Sequence, residues 1–245
     1  YRSFYATFQE LLDDVGGDEL RDYFQYMEGL VEAGEHTAHD ECFLVHSKLD
    51  KYPLKKLLSH RFRTIQGGSC FMQYLMDKWM SWAGKAIADH QESATHYRAA
   101  TFCEDLMNKL GTESSCSMDY SGFDRKQVRE VVYEIIHTVA QRSGCSSVMA
   151  NFIAEVVSES SLVMPDGTVY MRFGGNPSGH TLTTFVNTSY HMLMLRCFRR
   201  WLGFRGIFIS FRSWLCGDDG VHGGSREDMV VLTTYFPRFC MEVFG

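Results

Sequence analysis

Proline is scarce, at 4 in 245 residues, and the 21 glycines gather into no Gly/Ser-rich tract, so long flexible linkers are excluded. No run of about 18 uncharged apolar residues occurs, which leaves no candidate membrane span. No signal-peptide pattern opens the chain either. Positive charge is not in excess: 24 Lys+Arg stand against 30 Asp+Glu, a net of −6. That balance excludes a uniformly cationic, histone-like coat but not a local basic channel. The eight cysteines form no CxxC pair. Their irregular spacing within apolar runs reads as reduced core thiols of a cytosolic protein rather than a disulfide framework. What the chain does have is 45% hydrophobic and 14% aromatic residues, enough to fill one large core or two small ones and to exclude disorder. It opens without Met on a helix-like pattern and stops after a helical run, as a segment of a longer protein would.

Helical spacing of apolar positions covers 2–14, 18–33, 69–90, 98–110, 125–142, 146–158, 178–201 and 225–243. Strand-like pieces lie within 34–68, at 115–120 and at 206–215, and 161–173 alternates around Pro165-Asp166-Gly167 as a hairpin does. The order predicts an α+β fold with an antiparallel sheet.

Three short constellations carry chemistry. Asp119-Tyr120-Ser121-Gly122-Phe123-Asp124 puts one carboxylate at a strand end and another five residues on, at a helix start. By itself a strand followed by an Asp cap explains it equally well. Gly217-Asp218-Asp219 puts adjacent carboxylates in a tight turn between apolar strands, where mutual repulsion favours a bound cation. An all-oxygen environment suits Mg2+, although an ordinary polar turn would look the same. Gly174-Gly175-Asn176-Pro177-Ser178-Gly179 is a bending loop that enters a helix at Ser178, with Thr183 and Asn187 on one helix face. Such a loop brings backbone amides close to a phosphate or base, or is simply a glycine-punctuated helix start.

In this order and spacing the three resemble the palm motifs of viral RNA-dependent RNA polymerases, most of all those of the picornavirus-like positive-strand RNA virus group. The likeness covers about residues 45–245. It implies a right-hand polymerase: an α+β palm, its antiparallel sheet flanked by helices, plus fingers, with no thumb. The fingers would occupy 1–114 and an insertion at 143–173; the palm would occupy 115–142 and 174–245. It implies template-directed RNA synthesis for a viral genome by two-metal nucleotidyl transfer. Asp119, Asp218 and Asp219, with the Tyr120 carbonyl, would surround two Mg2+ ions, or Mn2+ in their place. Asp124 and Asn187 would read the ribose 2′-hydroxyl, assisted by Ser178, Gly179 and Thr183. The partners implied are an RNA template and nascent strand, ribonucleoside triphosphates and other viral replication proteins. The location implied is a replication complex in the host-cell cytoplasm.

A basic stretch adds to this. Lys48, Lys51, Lys55, Lys56, Arg61 and Arg63 face one acid, Asp50. A solvated face accounts for them in isolation. The resemblance makes about 45–66 a basic fingers segment, with Arg61 and Arg63, and then Lys48 and Lys51, on the triphosphate. Cys216 stands where the family often has Tyr. The family's later lysine, primer-gripping hairpin and thumb would lie past Gly245. His36, His39, Cys42 and His46 have ligand residue types but read as a polar surface loop. The alternatives are a reverse transcriptase or other palm polymerase, for which the Asp124–Asn187 pair is uncharacteristic, and an RNA-binding palm without activity.

Overall fold

The structure is a computed structural model and describes residues 10, 13–14, 17–36, 41–47, 64–95, 102–111 and 113–244. In chain order its elements are α1 (Gly17–Ala33), β1 (Cys42–Ser47), β2 (Thr64–Gly68), α2 (Cys70–Ala88), α3 (Phe102–Leu110), β3 (Ser114–Met118), α4 (Phe123–Lys126), α5 (Arg129–Arg142), α6 (Ser147–Ser158), β4 (Glu159–Val163), β5 (Val169–Phe173), α7 (Thr183–Gly203), β6 (Phe211–Cys216), β7 (Asp219–Gly224) and α8 (Arg226–Val243). They form two compact units, residues 1–81 with 129–183, and 82–128 with 184–245.

The first unit holds a four-stranded sheet in the order β2-β1-β4-β5. Its hairpin turns at Pro165-Asp166-Gly167, where Gly167 takes φ 85° and Asp166 Oδ1 accepts from the Thr168 amide (2.9 Å). The expectation of antiparallel pairing fails at one seam: β1 runs parallel to β4, through Cys42–Ser161 to Leu44–Val163. α6 is apolar almost all round and buries Met149, Phe152, Ile153, Val156 and Val157, as a core helix does. Ser146 caps it by accepting from the Met149 amide (3.0 Å). Phe24 of α1 stacks on Phe71 and Tyr74 of α2, with Lys78 paired to Glu28 at the rim (2.7 Å).

The second unit is built on an antiparallel sheet in the order β3-β7-β6. Trp214 of β6 is buried and donates its indole N–H to the Ser93 carbonyl (2.8 Å). Phe198 of α7 meets Phe236 and Phe239 of α8 at ring separations of 5.1 and 5.5 Å, the centre of an aromatic core. Ser225 caps α8. A mixed α+β architecture with this antiparallel sheet and flanking helices fits a polymerase palm.

Two local expectations change. The helix expected to open at Ser178 starts at Thr183, because 178–182 spends its hydrogen-bonding groups on turns. The helix expected over 125–142 is broken: Gln127 is extended (φ −67°, ψ 135°) between α4 and α5. All eight cysteines are free, yet only Cys145 is buried, and Cys70, Cys103, Cys197 and Cys216 are exposed. The thiols are therefore mostly not core residues. Among the described residues no helix is long and apolar enough to cross a membrane.

Candidate active site

The β6–β7 hairpin pairs Cys216 with Asp219, leaving Gly217-Asp218 as a two-residue loop. Gly217 has φ 66°, the left-handed conformation such tight hairpin loops require and glycine adopts without strain. On the other flank of β7, Met118 pairs with Gly220. Asp119 directly follows Met118, and Asp219 directly precedes Gly220, so register alone brings Asp119, Asp218 and Asp219 to one end of the sheet. Asp119 and Asp219 are exposed and Asp218 is half-buried. No ion pair among the described residues involves any of the three. The donor chemistry, three carboxylates and nearby carbonyls without a competing cation, fits a hard divalent ion. Their side chains are not gathered into a cage: among the described residues no group of three His, Cys, Asp or Glu is placed to hold one. The Tyr120 ring points into the core, where its hydroxyl bonds His191 (2.8 Å), so only its backbone remains for a ligand. Burial raises the Tyr120 phenol well above its ordinary range.

Beside these carboxylates, Asn187 of α7 donates Nδ2–H to Asp124 Oδ1 of α4 (2.5 Å). Its Oδ1 accepts from Gln127 Nε2 (2.7 Å). Asn187 and Gln127 are both buried, at 6% and 3% exposure. Gln127 therefore fixes which way the Asn187 amide faces. Sequence reasoning missed it, because a Gln three residues after Asp124 signals nothing until the extended break turns it inward.

Ser178, Gly179 and Thr183 belong to the other compact unit and brace their own loop. Ser178 lies along β2: its carbonyl accepts from the Gln66 amide (3.2 Å) and its hydroxyl donates to the Thr64 carbonyl (3.2 Å). The Thr183 hydroxyl faces the Pro177 and His180 carbonyls (3.1 and 2.9 Å). Arg172 of β5 donates to the carbonyls of Gly174 (2.6 Å), Gly175 (2.7 Å) and Val157 (2.6 Å) and to the Ser160 hydroxyl (2.9 Å). Asn176 Oδ1 accepts from His180 Nε2 (2.6 Å), and burial followed by the Arg172 charge pushes the His180 pKa down to about 3. Lys48, Lys51, Arg61 and Arg63, with Lys55 and Lys56, lie outside the described residues.

Gly179 tolerates no side chain. A Cβ there would stand 2.6 Å from the Gln66 carbonyl oxygen and 2.8 Å from Ile65 Cγ2. Gly179→Ala is expected to lower stability by about 1–3 kcal/mol, the usual cost of overpacking. A urea midpoint equal to that of the unsubstituted chain would refute the close approach.

The chain belongs to the viral RNA-dependent RNA polymerases: the family model described as "Viral RNA-dependent RNA polymerase" matches residues 95–240, more than half of its length. That span contains Asp119, Asp124, Ser178, Thr183, Asn187, Asp218 and Asp219. Membership assigns it to viral RNA-dependent RNA synthesis, a class of enzymes that use divalent metals. No curated protein matches the chain significantly.

Proposed function

We propose that this chain carries the nucleotidyl-transfer centre of an RNA-directed RNA polymerase that replicates a viral genome in the host-cell cytoplasm. The observation that carries the reading is the register of the β3-β7-β6 sheet, which sets Asp119, Asp218 and Asp219 at one end. The palm corresponds to 115–142 and 174–245 and the fingers to 1–114 and 143–173. The two compact units also alternate along the chain, but with junctions at 81/82, 128/129 and 183/184 rather than at these bounds.

Asp119 and Asp218 would hold Mg2+, with Asp219 and the Tyr120 carbonyl in support. When bound, the ions stabilise charge on the attacking 3′-oxygen and on the departing pyrophosphate. The chain's own residues select the substrate. The Asp124 carboxylate accepts from the ribose 2′-hydroxyl, while Asn187, oriented by Gln127, holds that carboxylate from behind. Ser178, Gly179 and Thr183 would assist in binding the nucleotide. Arg61, Arg63, Lys48 and Lys51 would meet the triphosphate.

Single-nucleotide incorporation from matched ribo- and deoxyribonucleoside triphosphates tests the ribose reading. Asn187→Ala is expected to reduce ribose preference by about tenfold, the worth of one charge-assisted hydrogen bond. Gln127→Leu, which keeps volume but removes the donor to Asn187 Oδ1, is expected to reduce it by about fivefold. Unchanged discrimination in both variants would remove the 2′-hydroxyl role from this pair.

A further inference from the structure

One buried group joins the two carboxylate-bearing segments. His191, on α7 one turn after Asn187, is 0% exposed. Its Nδ1 lies 3.2 Å from the Gly217 carbonyl, and its Nε2 lies 2.8 Å from the Tyr120 hydroxyl. A carbonyl only accepts, so Nδ1 carries the proton and Nε2 accepts from Tyr120. Thr188, three residues earlier, takes the other backbone group of the same glycine: the Gly217 amide donates to its hydroxyl (2.9 Å). The far side of the turn meets the same ring, because a Cβ on Gly220 would stand 2.8 Å from His191 Cε1. Asp218 and Asp219 are thus flanked on both sides by glycines seated on α7. Asp119 is adjacent to the tyrosine that closes the chain of hydrogen bonds.

We propose that Thr188 and His191 are positioning residues that hold the backbone of the Gly217-Asp218 loop and, through Tyr120, of Asp119 in one arrangement, from which the Asp218 and Asp119 carboxylates turn onto a divalent cation. The proposal deepens the polymerase reading and rests on it. The two hydrogen bonds on Gly217, at 2.9 and 3.2 Å, engage both of its polar groups, so the backbone at Asp218 cannot rotate without breaking one. The bond from Tyr120 to His191 ties β3 to the same ring. Because Asn187 shares the helix with Thr188 and His191, ribose recognition and carboxylate placement use one rigid support.

The test uses Thr188→Val, His191→Phe and Tyr120→Phe, each close to the original shape and each lacking the hydrogen-bonding group, with Thr188→Ser as the conservative rescue. Mn2+ affinity of the 245-residue chain is read by electron paramagnetic resonance, with Asp218→Asn as the reference for a lost ligand. Weakening by about tenfold to a hundredfold is expected in the three deletion variants, with recovery in Thr188→Ser. Hydrogen exchange is expected to show the Gly217 amide protected in the unsubstituted chain and released by Thr188→Val. In an active polymerase containing this chain, kcat should fall while KM for the nucleotide stays constant. Wild-type Mn2+ affinity in folded deletion variants, or an unprotected Gly217 amide in the unsubstituted chain, overturns the clamp. Unaltered Mn2+ binding in Asp218→Asn overturns instead the site reading beneath it. Should His191→Phe fail to fold, Tyr120→Phe, a single-oxygen deletion, decides the matter.

Discussion

Asp218→Asn should abolish nucleotide incorporation, by at least about a thousandfold, in an active polymerase containing this chain, while leaving RNA affinity unchanged. The substitution is nearly isosteric and the residue sits in a two-residue loop, so little packing is disturbed. What disappears is a negative charge beside Asp219, at the sheet end where Asp119 also lies. No described cationic side chain forms an ion pair with any of these three carboxylates, so no ion pair among the described residues is lost with it. An amide oxygen remains, but a neutral ligand cannot offset a dication held against developing phosphate charge. Removing one uncharged transition-state hydrogen bond typically costs 10²–10³ in rate, and a lost anionic ligand should exceed that range. Asp228→Asn is the matched control: Asp228 accepts from the Ser225 hydroxyl (2.9 Å) in the α8 cap, so it should affect stability alone. Incorporation by Asp218→Asn within tenfold of the unsubstituted enzyme would end the assignment.

The parts legible in the sequence are those set by local rules. The hairpin at 165–167 followed from Pro-Asp-Gly, and the Gly217-Asp218 turn from two apolar strands around a glycine. Helices α5 through α8 showed in the periodicity because each buries one face or, for α6, nearly all of it. What stayed hidden was non-local. The parallel seam between β1 and β4 joins residues more than a hundred positions apart, and nothing local distinguishes it from an antiparallel pair. The break at Gln127 yields to tertiary demand: a good helix former is pulled straight to reach Asn187, sixty residues away. Thr188 and His191 look like ordinary helix residues, since their partners are backbone groups of a turn 26 to 29 residues downstream. The delayed start of α7 has the same origin, because Thr183 and His180 hold the preceding loop instead of continuing the helix backwards.

Acid should destabilise each compact unit before ordinary carboxylates titrate. His180 in the first and His222 in the second are buried, at 5% and 0% exposure. Burial comes first in pushing each pKa down to about 3; the Arg172 charge adds to it for His180, and His191 and Arg199 add to it for His222. In the unfolded chain a histidine titrates near 6.5. Below that pH the unfolded state takes up protons that the folded state refuses. The stability each neutral histidine contributes is therefore complete above about pH 6.5 and is lost as pH falls toward 3. At pH 4.5 the loss is roughly 3 kcal/mol for each residue, a large share of a typical 5–15 kcal/mol total. Urea midpoints measured from pH 7.5 to 4.5 should drop steadily below 6.5. His180→Gln keeps a donor for Asn176 Oδ1 but cannot titrate in this range, so the acid-side slope of the first unit should flatten. A midpoint independent of pH across that window would show that neither ring is held neutral by burial. The burial of the His222 ring on β7, with Ser213 of β6 on its Nδ1 (2.9 Å), would then need another explanation.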